Sequence, residues 1–119
     1  MLLPGRMATR ILTGLLALLF IAAGVPKLLG LGTAAEEFAK LGYSAGFRLL
    51  IGALEVAGGV ALLVPAVALF GACVLLVIMA GATWTLIQVG QPPTPPLVVG
   101  ALLVAVVALR IRGGRGGSR

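Results

Sequence analysis

The sequence predicts an all-α membrane protein, a bundle of four transmembrane helices with a short interfacial helix between the first and the second. Three observations predict it. The 119 residues are 61% hydrophobic and only 10% charged, with a mean hydropathy of +1.20, which leaves too little polar surface for a soluble domain of this size. Four apolar segments, over about 8–29, 47–64, 67–89 and 95–109, approach the roughly 20 residues that cross a hydrocarbon core. The excess charge sits at the two ends. Arg6 and Arg10 precede the first segment and Arg110, Arg112, Arg115 and Arg119 follow the last, while Lys27, Lys40 and Arg48 are balanced by Glu36, Glu37 and Glu55.

That placement is the positive-inside pattern, with both termini cytoplasmic and an even number of spans. It reads the net charge of +6 as topology and lipid-headgroup contact rather than nucleic-acid binding. Residues 1–112 form one transmembrane domain, with no room for a soluble one, and 113–119, rich in Gly and Arg, form a flexible basic cytoplasmic tail. With no histidine, one cysteine and three carboxylates, a protein-ligated haem, zinc or iron–sulfur centre is not expected. Any redox chemistry would belong to a bound small molecule or to another subunit.

The first span runs outward from about Ala8 to Leu29. Its arginine flank and its Ala22-Ala23-Gly24 also have the form of a cleavable signal. Cleavage would leave three spans with the termini on opposite sides, so the segment is read as retained. Gly24 and Pro26 are expected to loosen or end the helix near the outer interface, leaving Lys27 about one turn from water. Thr33-Ala34-Ala35-Glu36 has the form of a capping box, opening a short helix that Gly42 ends. Ala35, Phe38, Ala39 and Leu41 or Tyr43 would share its membrane-facing side. A partner or an entering ligand would touch the protein most easily here, although a plain connector explains the segment as well.

The second span carries the one carboxylate at membrane depth. Arg48, Gly52, Glu55, Gly59 and Leu62 recur at helical spacing along one stripe. Gly52, Gly58 and Gly59 are helix-packing positions, and Ala53, Ala57 and Ala61 form a small-residue line on an adjacent face. Glu55 lies roughly 12 Å below the outer end of its helix. An ionisable group there faces the bundle interior with a partner. Arg48, two turns above on the same stripe, is too far for direct contact without bending, and stands with Lys27 and Glu55 as a candidate ligand-binding or ion-pair residue. Lys27 ends the neighbouring antiparallel helix, and its side chain leans back into the membrane, so a Lys27–Glu55 ion pair or water-bridged pair is expected. It would be either a ligand site or a device that fixes helix register.

Pro65 marks a tight turn into the third span. There Cys73 is read as core, Trp84 and Gln88 suit the outer interface, and Thr83 and Thr85 are expected to bond carbonyls of their own helix. The proline-rich 91–96 is a stiff outer loop, with Thr94 capping the fourth helix and Pro95 at its first position. That helix, ending near Leu109, is short for a bilayer of about 30 Å. No catalytic triad, phosphate loop, metal cluster or nucleotide fingerprint is present.

Three stretches carry a family likeness: Gly24-Val25-Pro26-Lys27, the loop ending Glu37-Phe38-Ala39-Lys40-Leu41-Gly42, and Glu55-Val56-Ala57-Gly58-Gly59-Val60-Ala61-Leu62-Leu63. In order and spacing, over about residues 10–110, the chain resembles the DoxX-like family of small bacterial membrane proteins. The resemblance implies a four-helix domain in the bacterial cytoplasmic membrane. For some members it also implies an association with quinone-linked oxidoreductase systems or resistance to oxidative stress. It carries Lys27 and Glu55 over as site positions, with a bound quinone as the cofactor and an oxidoreductase subunit as partner; a homo-oligomer is a further partner to be considered. Many relatives have a histidine after a threonine late in span three, where this chain has Thr85-Leu86. That puts a proton relay through the position in doubt. Two other classes stand beside the redox reading. One is a proton-coupled exporter, although small multidrug-resistance transporters carry their membrane glutamate in the first span. The other is a non-catalytic assembly or scaffold protein.

Overall fold

The computed structural model describes the backbone of residues 5–117 and the side chains of residues 6–112. Five helices follow one another: α1 (Gly5–Leu29), α2 (Ala34–Lys40), α3 (Ala45–Leu62), α4 (Ala68–Gln88) and α5 (Thr94–Gly117). Four are long and apolar enough to cross a membrane, over Arg6–Leu29, Ala45–Leu62, Ala68–Gln88 and Thr94–Arg112. Large apolar side chains such as Phe70 and Val77 stand more than two-thirds exposed on them, as a bilayer requires and water would not favour. α2 is the short helix between the first two spans.

The long helices contact only their neighbours around a ring, in the order α1, α3, α4, α5 and back to α1, and α2 lies against α1 and α3. The start of α1 and the end of α5 share one end of the bundle, and α2 lies at the other. Close packing is concentrated in the middle and toward the terminal end. There Leu16, Ala17 and Phe20 of α1 meet Leu62, Ala72, Leu75, Leu103 and Val106 of the other three spans. At the same end Arg110 Nη2 donates to the Leu62 carbonyl at 3.4 Å.

α1 and α3 approach most closely, and glycines permit it. A Cβ on Gly24 would fall 2.7 Å from the Gly52 carbonyl oxygen, and one on Gly52 would fall 2.9 Å from that of Gly24. On the same stripe, Gly59 faces the Ala17 carbonyl, while Gly58 receives the Leu75 side chain from α4. Ala53 and Ala57 do not serve this packing. Both are exposed, whereas Ala61 of the same line does pack, its Cβ 2.7 Å from where a Cβ on Gly71 of α4 would fall. Cys73 is likewise exposed rather than core, since α4 buries Ala72 and Leu75 on its other side.

The connections depart from expectation in detail. Pro26 stays inside α1, which continues to Leu29. The helix stops where Gly30 takes a φ of +67° and the Leu31 amide donates back to the Pro26 carbonyl at 2.9 Å. Thr33 is the N-cap of α2, but its side chain makes no capping bond. Its φ and ψ of −96° and 3° lie outside the extended region from which an N-cap hydroxyl reaches the first turn, so no capping box forms. Gly42 does end α2. With φ at +84° it lets its own amide reach Ala39 and the Tyr43 amide reach Phe38, at 3.0 and 2.9 Å, a paired closure of the last turn that favours glycine. Ala34 is the buried member of α2. α5 starts with the Leu97 amide on the Pro93 carbonyl, so Thr94 is already helical. Pro95 and Pro96 fall in the first turn, where missing amides cost nothing. The helix continues past Leu109 to Gly117. It therefore takes in most of the expected basic tail, whose last two residues lie outside the described ones.

The glycine seam makes a stability prediction. Gly24→Ala or Gly52→Ala should destabilise the bundle by about 1–3 kcal/mol, the usual cost of overpacking, as read by unfolding in mixed micelles. Gly14→Ala, where a Cβ meets nothing within 4 Å, should be neutral or slightly stabilising.

Candidate functional site

The site begins with that close approach. Gly24 lies one turn before Lys27 on α1 and Gly52 one turn before Glu55 on α3, so the seam brings the two charged residues within reach. Lys27 Nζ lies 2.6 Å from Glu55 Oε1, the one ion pair among the described residues. Lys27 leans back along its own helix, as its tilt toward the N-terminus dictates, and Nζ also donates to the Ala23 carbonyl at 3.3 Å. The Glu55 side chain is 5% exposed and that of Lys27 21%. The carboxylate is therefore enclosed, while the ammonium group still meets open space.

Arg48 does not touch Glu55. Its Nε donates to the Lys27 backbone carbonyl at 3.0 Å, one of the carbonyls that the last turn of a helix leaves without a partner. A cation there also complements the negative end of the α1 dipole. Arg48 thus positions the segment carrying Lys27 and does not join the pair itself.

Beside the pair the four spans diverge. They line an open cleft of about 1020 Å³ in the α2 half of the bundle. Its floor includes Phe20, Ala23, Lys27 and Glu55, and α4 lines it with Met79, Gly81, Ala82 and Thr85. A Cβ on Gly81 would meet nothing within 4 Å, so that glycine contributes empty volume rather than close packing. A smaller hollow of about 430 Å³ lies under the α1–α2 turn, lined by Pro26, Lys27, Thr33 and Glu37 among others. Lys27 borders both spaces.

Aromatic side chains roof the cleft. Tyr43 and Phe47 have ring centroids 4.6 Å apart, and Phe38 stands 6.0 Å from Tyr43 and 6.4 Å from Phe47. Tilted rings at these separations attract one another beyond their shared burial. The Tyr43 hydroxyl lies 2.6 Å from Thr85 Oγ1, tying the α2–α3 corner to α4. Thr85 therefore bonds across the cleft, not to its own helix. Thr83 does bond its own helix, donating to the Met79 carbonyl at 2.8 Å. The sequence reading missed the roof and the Tyr43–Thr85 tie. A signal for the roof existed: three of the six aromatic residues fall within residues 38–47.

With this geometry in view, comparison with known families gives one answer. A model described as the DoxX-like family matches residues 11–109. The chain belongs to the DoxX-like family. No curated protein and no solved structure matches it. In this DoxX-like bundle the Gly-x-x-Lys that ends α1 and the Glu-x-x-Gly-Gly of α3 meet across one interface. The short motifs that carried the resemblance are thus neighbours in space.

The ion pair makes a second prediction. Lys27→Met leaves an enclosed carboxylate without its cation and should destabilise the protein by about 3 kcal/mol or more. The double variant Lys27→Met/Glu55→Gln should recover most of that loss, giving a coupling of more than about 1 kcal/mol in a double-mutant cycle. Equal loss in the single and double variants would show that the two side chains do not depend on each other.

Proposed function

We propose that this DoxX-like protein holds a quinone-like or other lipophilic small molecule in the cleft beside Lys27 and Glu55. It would act as the membrane component of a redox or oxidative-stress system whose electron chemistry a partner subunit supplies. The observation that carries this reading is an apolar cleft that ends on an enclosed ion pair. Ligand pockets of about 300–1,000 Å³, lined by apolar and aromatic groups with a few placed polar ones, are the common form of small-molecule sites. An ionisable residue kept at membrane depth points to a ligand path or a proton path. A quinone ring suits these walls. The aromatic roof offers stacking surface, and Lys27 offers a donor to a carbonyl oxygen. Bound there, such a group would accept or give up electrons, and the chain's own residues would orient it and keep water from the carboxylate.

By the positive-inside rule, the arginines at the terminal end would put that end in the cytoplasm. The cleft would then open toward the outer face of a bacterial cytoplasmic membrane. The exporter reading has less support. Glu55 is already paired with Lys27, so it presents no bare carboxylate to an organic cation.

Mass spectrometry of protein extracted in native lipid patches tests the reading. Wild type should carry a small lipophile that is absent from Glu55→Gln and from Gly81→Leu, the second of which fills the cleft without touching the pair. If all three carry only bulk lipid and recover the same protein partner, the scaffold reading replaces this one.

A further inference from the structure

Away from the cleft, at the terminal end of the bundle, two enclosed polar atoms have no hydrogen-bond partner among the described residues. They are Thr13 Oγ1 of α1 and Arg110 Nε of α5. Both residues extend the buried stripes of their helices. Thr13, 3% exposed, lies one turn before the buried Leu16 and Ala17, and the part-buried Arg110 lies one turn after the buried Val106. Leu16, Ala17 and Val106 belong to one core, and α1 packs against α5. Thr13 and Arg110 therefore stand on the inner side of neighbouring helices, each one turn beyond that core. A threonine inside a helix ordinarily returns its proton to a carbonyl one turn back, as Thr83 does. Thr13 does not.

Arg110 lacks a counter-charge as well. Its hydrogen bond to the Leu62 carbonyl, at 3.4 Å, is longer than the usual range. The chain has three acidic side chains. Glu36 and Glu37 lie on α2 at the opposite end, and Glu55 is held by Lys27. Arg6, Arg10 and Arg112 stand exposed at the same end as Arg110 and add only positive charge. A part-buried guanidinium without a carboxylate calls for an anion from outside the chain. Phosphate oxygens match the guanidinium fork and also accept from a hydroxyl. Apolar surface adjoins the charge: Met7, Ile11 and Ile111, next in sequence to Arg6, Arg10 and Arg110, are exposed, as acyl chains require.

We propose that Arg110 and Thr13 form a site for the phosphate of one anionic phospholipid, drawn from the leaflet at the terminal end. Arg110 Nε and the Thr13 hydroxyl donate to its oxygens, while the exposed arginines contribute only their field. Neither atom is open to solvent as the bundle stands. The headgroup therefore enters as the Arg110 side chain turns, giving up only its long bond to Leu62. Residue dependence separates this site from the general attraction of a basic end for an anionic surface. One inward arginine and one uncharged threonine outweigh the exposed arginines. The site lies at the opposite end of the bundle from the cleft, and its occupation does not depend on what the cleft holds.

Native mass spectrometry of the full chain in detergent, titrated with dioleoylphosphatidylglycerol, tests the site, with dioleoylphosphatidylcholine as the zwitterionic control. One phosphatidylglycerol should bind ahead of the control. Arg110→Gln should weaken it by about 10- to 100-fold, the range for hydrogen bonds to a charged group, and Arg112→Gln by about 5-fold at most, the worth of one surface charge. Thr13→Val removes no charge and no existing bond, so the protein should fold as wild type does, yet bind the lipid about 10-fold more weakly. If Thr13→Val binds as wild type does and Arg110→Gln loses no more than Arg112→Gln, only the general field acts and the site is refuted. Inorganic phosphate at the concentration of the lipid should not compete. Displacement of the lipid by it would make free phosphate the occupant and overturn the lipid assignment.

Discussion

A single carboxylate at membrane depth sets the terms for this bundle. Burying a charge alone in hydrocarbon costs roughly 2.5–3.5 kcal/mol even on insertion scales, and pairing it is the usual remedy. Lys27 provides the pairing, but only because two backbones come close enough for a side chain from one helix to meet a side chain from the next. Gly24 and Gly52 face each other with no room for a Cβ on either, and Arg48 fastens the end of α1 by its Lys27 carbonyl. The ion pair, the seam and the clamp lie together at one end of the α1–α3 interface.

That unit divides the molecule into halves of different character. Toward the termini, Leu62, Leu75, Leu103 and Val106 interlock and are fully enclosed. Toward α2 the helices part, and small residues such as Gly81 and Ala82 keep the space open. Lipid tails are as apolar as leucine, so hydrophobicity alone would not drive the helices together there. The upper half is held instead by specific contacts: the ion pair, the aromatic roof and the Tyr43–Thr85 tie. The bundle is thus locked by close packing at one end and by polar and aromatic ties at the other.

What could be read from the sequence follows the same physics. The stripe from Arg48 to Leu62 was legible because a helix repeats and because charge in an apolar run must face inward. The Lys27–Glu55 pair was legible because one cation and one carboxylate fall at similar depth on antiparallel neighbours. The orientation of α4 was not. It is apolar on every side, so no periodicity tells the lipid face from the buried one, and Cys73 was assigned to the wrong face. Ala53 and Ala57 misled for a related reason, since a line of small residues fits an exposed face in lipid as well as a packed one. The cleft was invisible because it arises where side chains fail to meet. The Tyr43–Thr85 tie joins residues 42 apart in the chain that no repeat connects.

The central claim is that Lys27 and Glu55 are in direct contact within the bilayer, and solid-state NMR can measure that contact. The chain has two lysines and three glutamates, so 15N-lysine and 13C-glutamate labels in lipid vesicles give few signals to assign. The account predicts strong dipolar dephasing between Lys27 Nζ and Glu55 Cδ, corresponding to a separation of about 3–4 Å, the range of a hydrogen-bonded ion pair. Dephasing absent at Glu55, in protein that remains helical and monodisperse, would contradict it. The carboxylate would then have some other partner, and the seam would no longer explain the site.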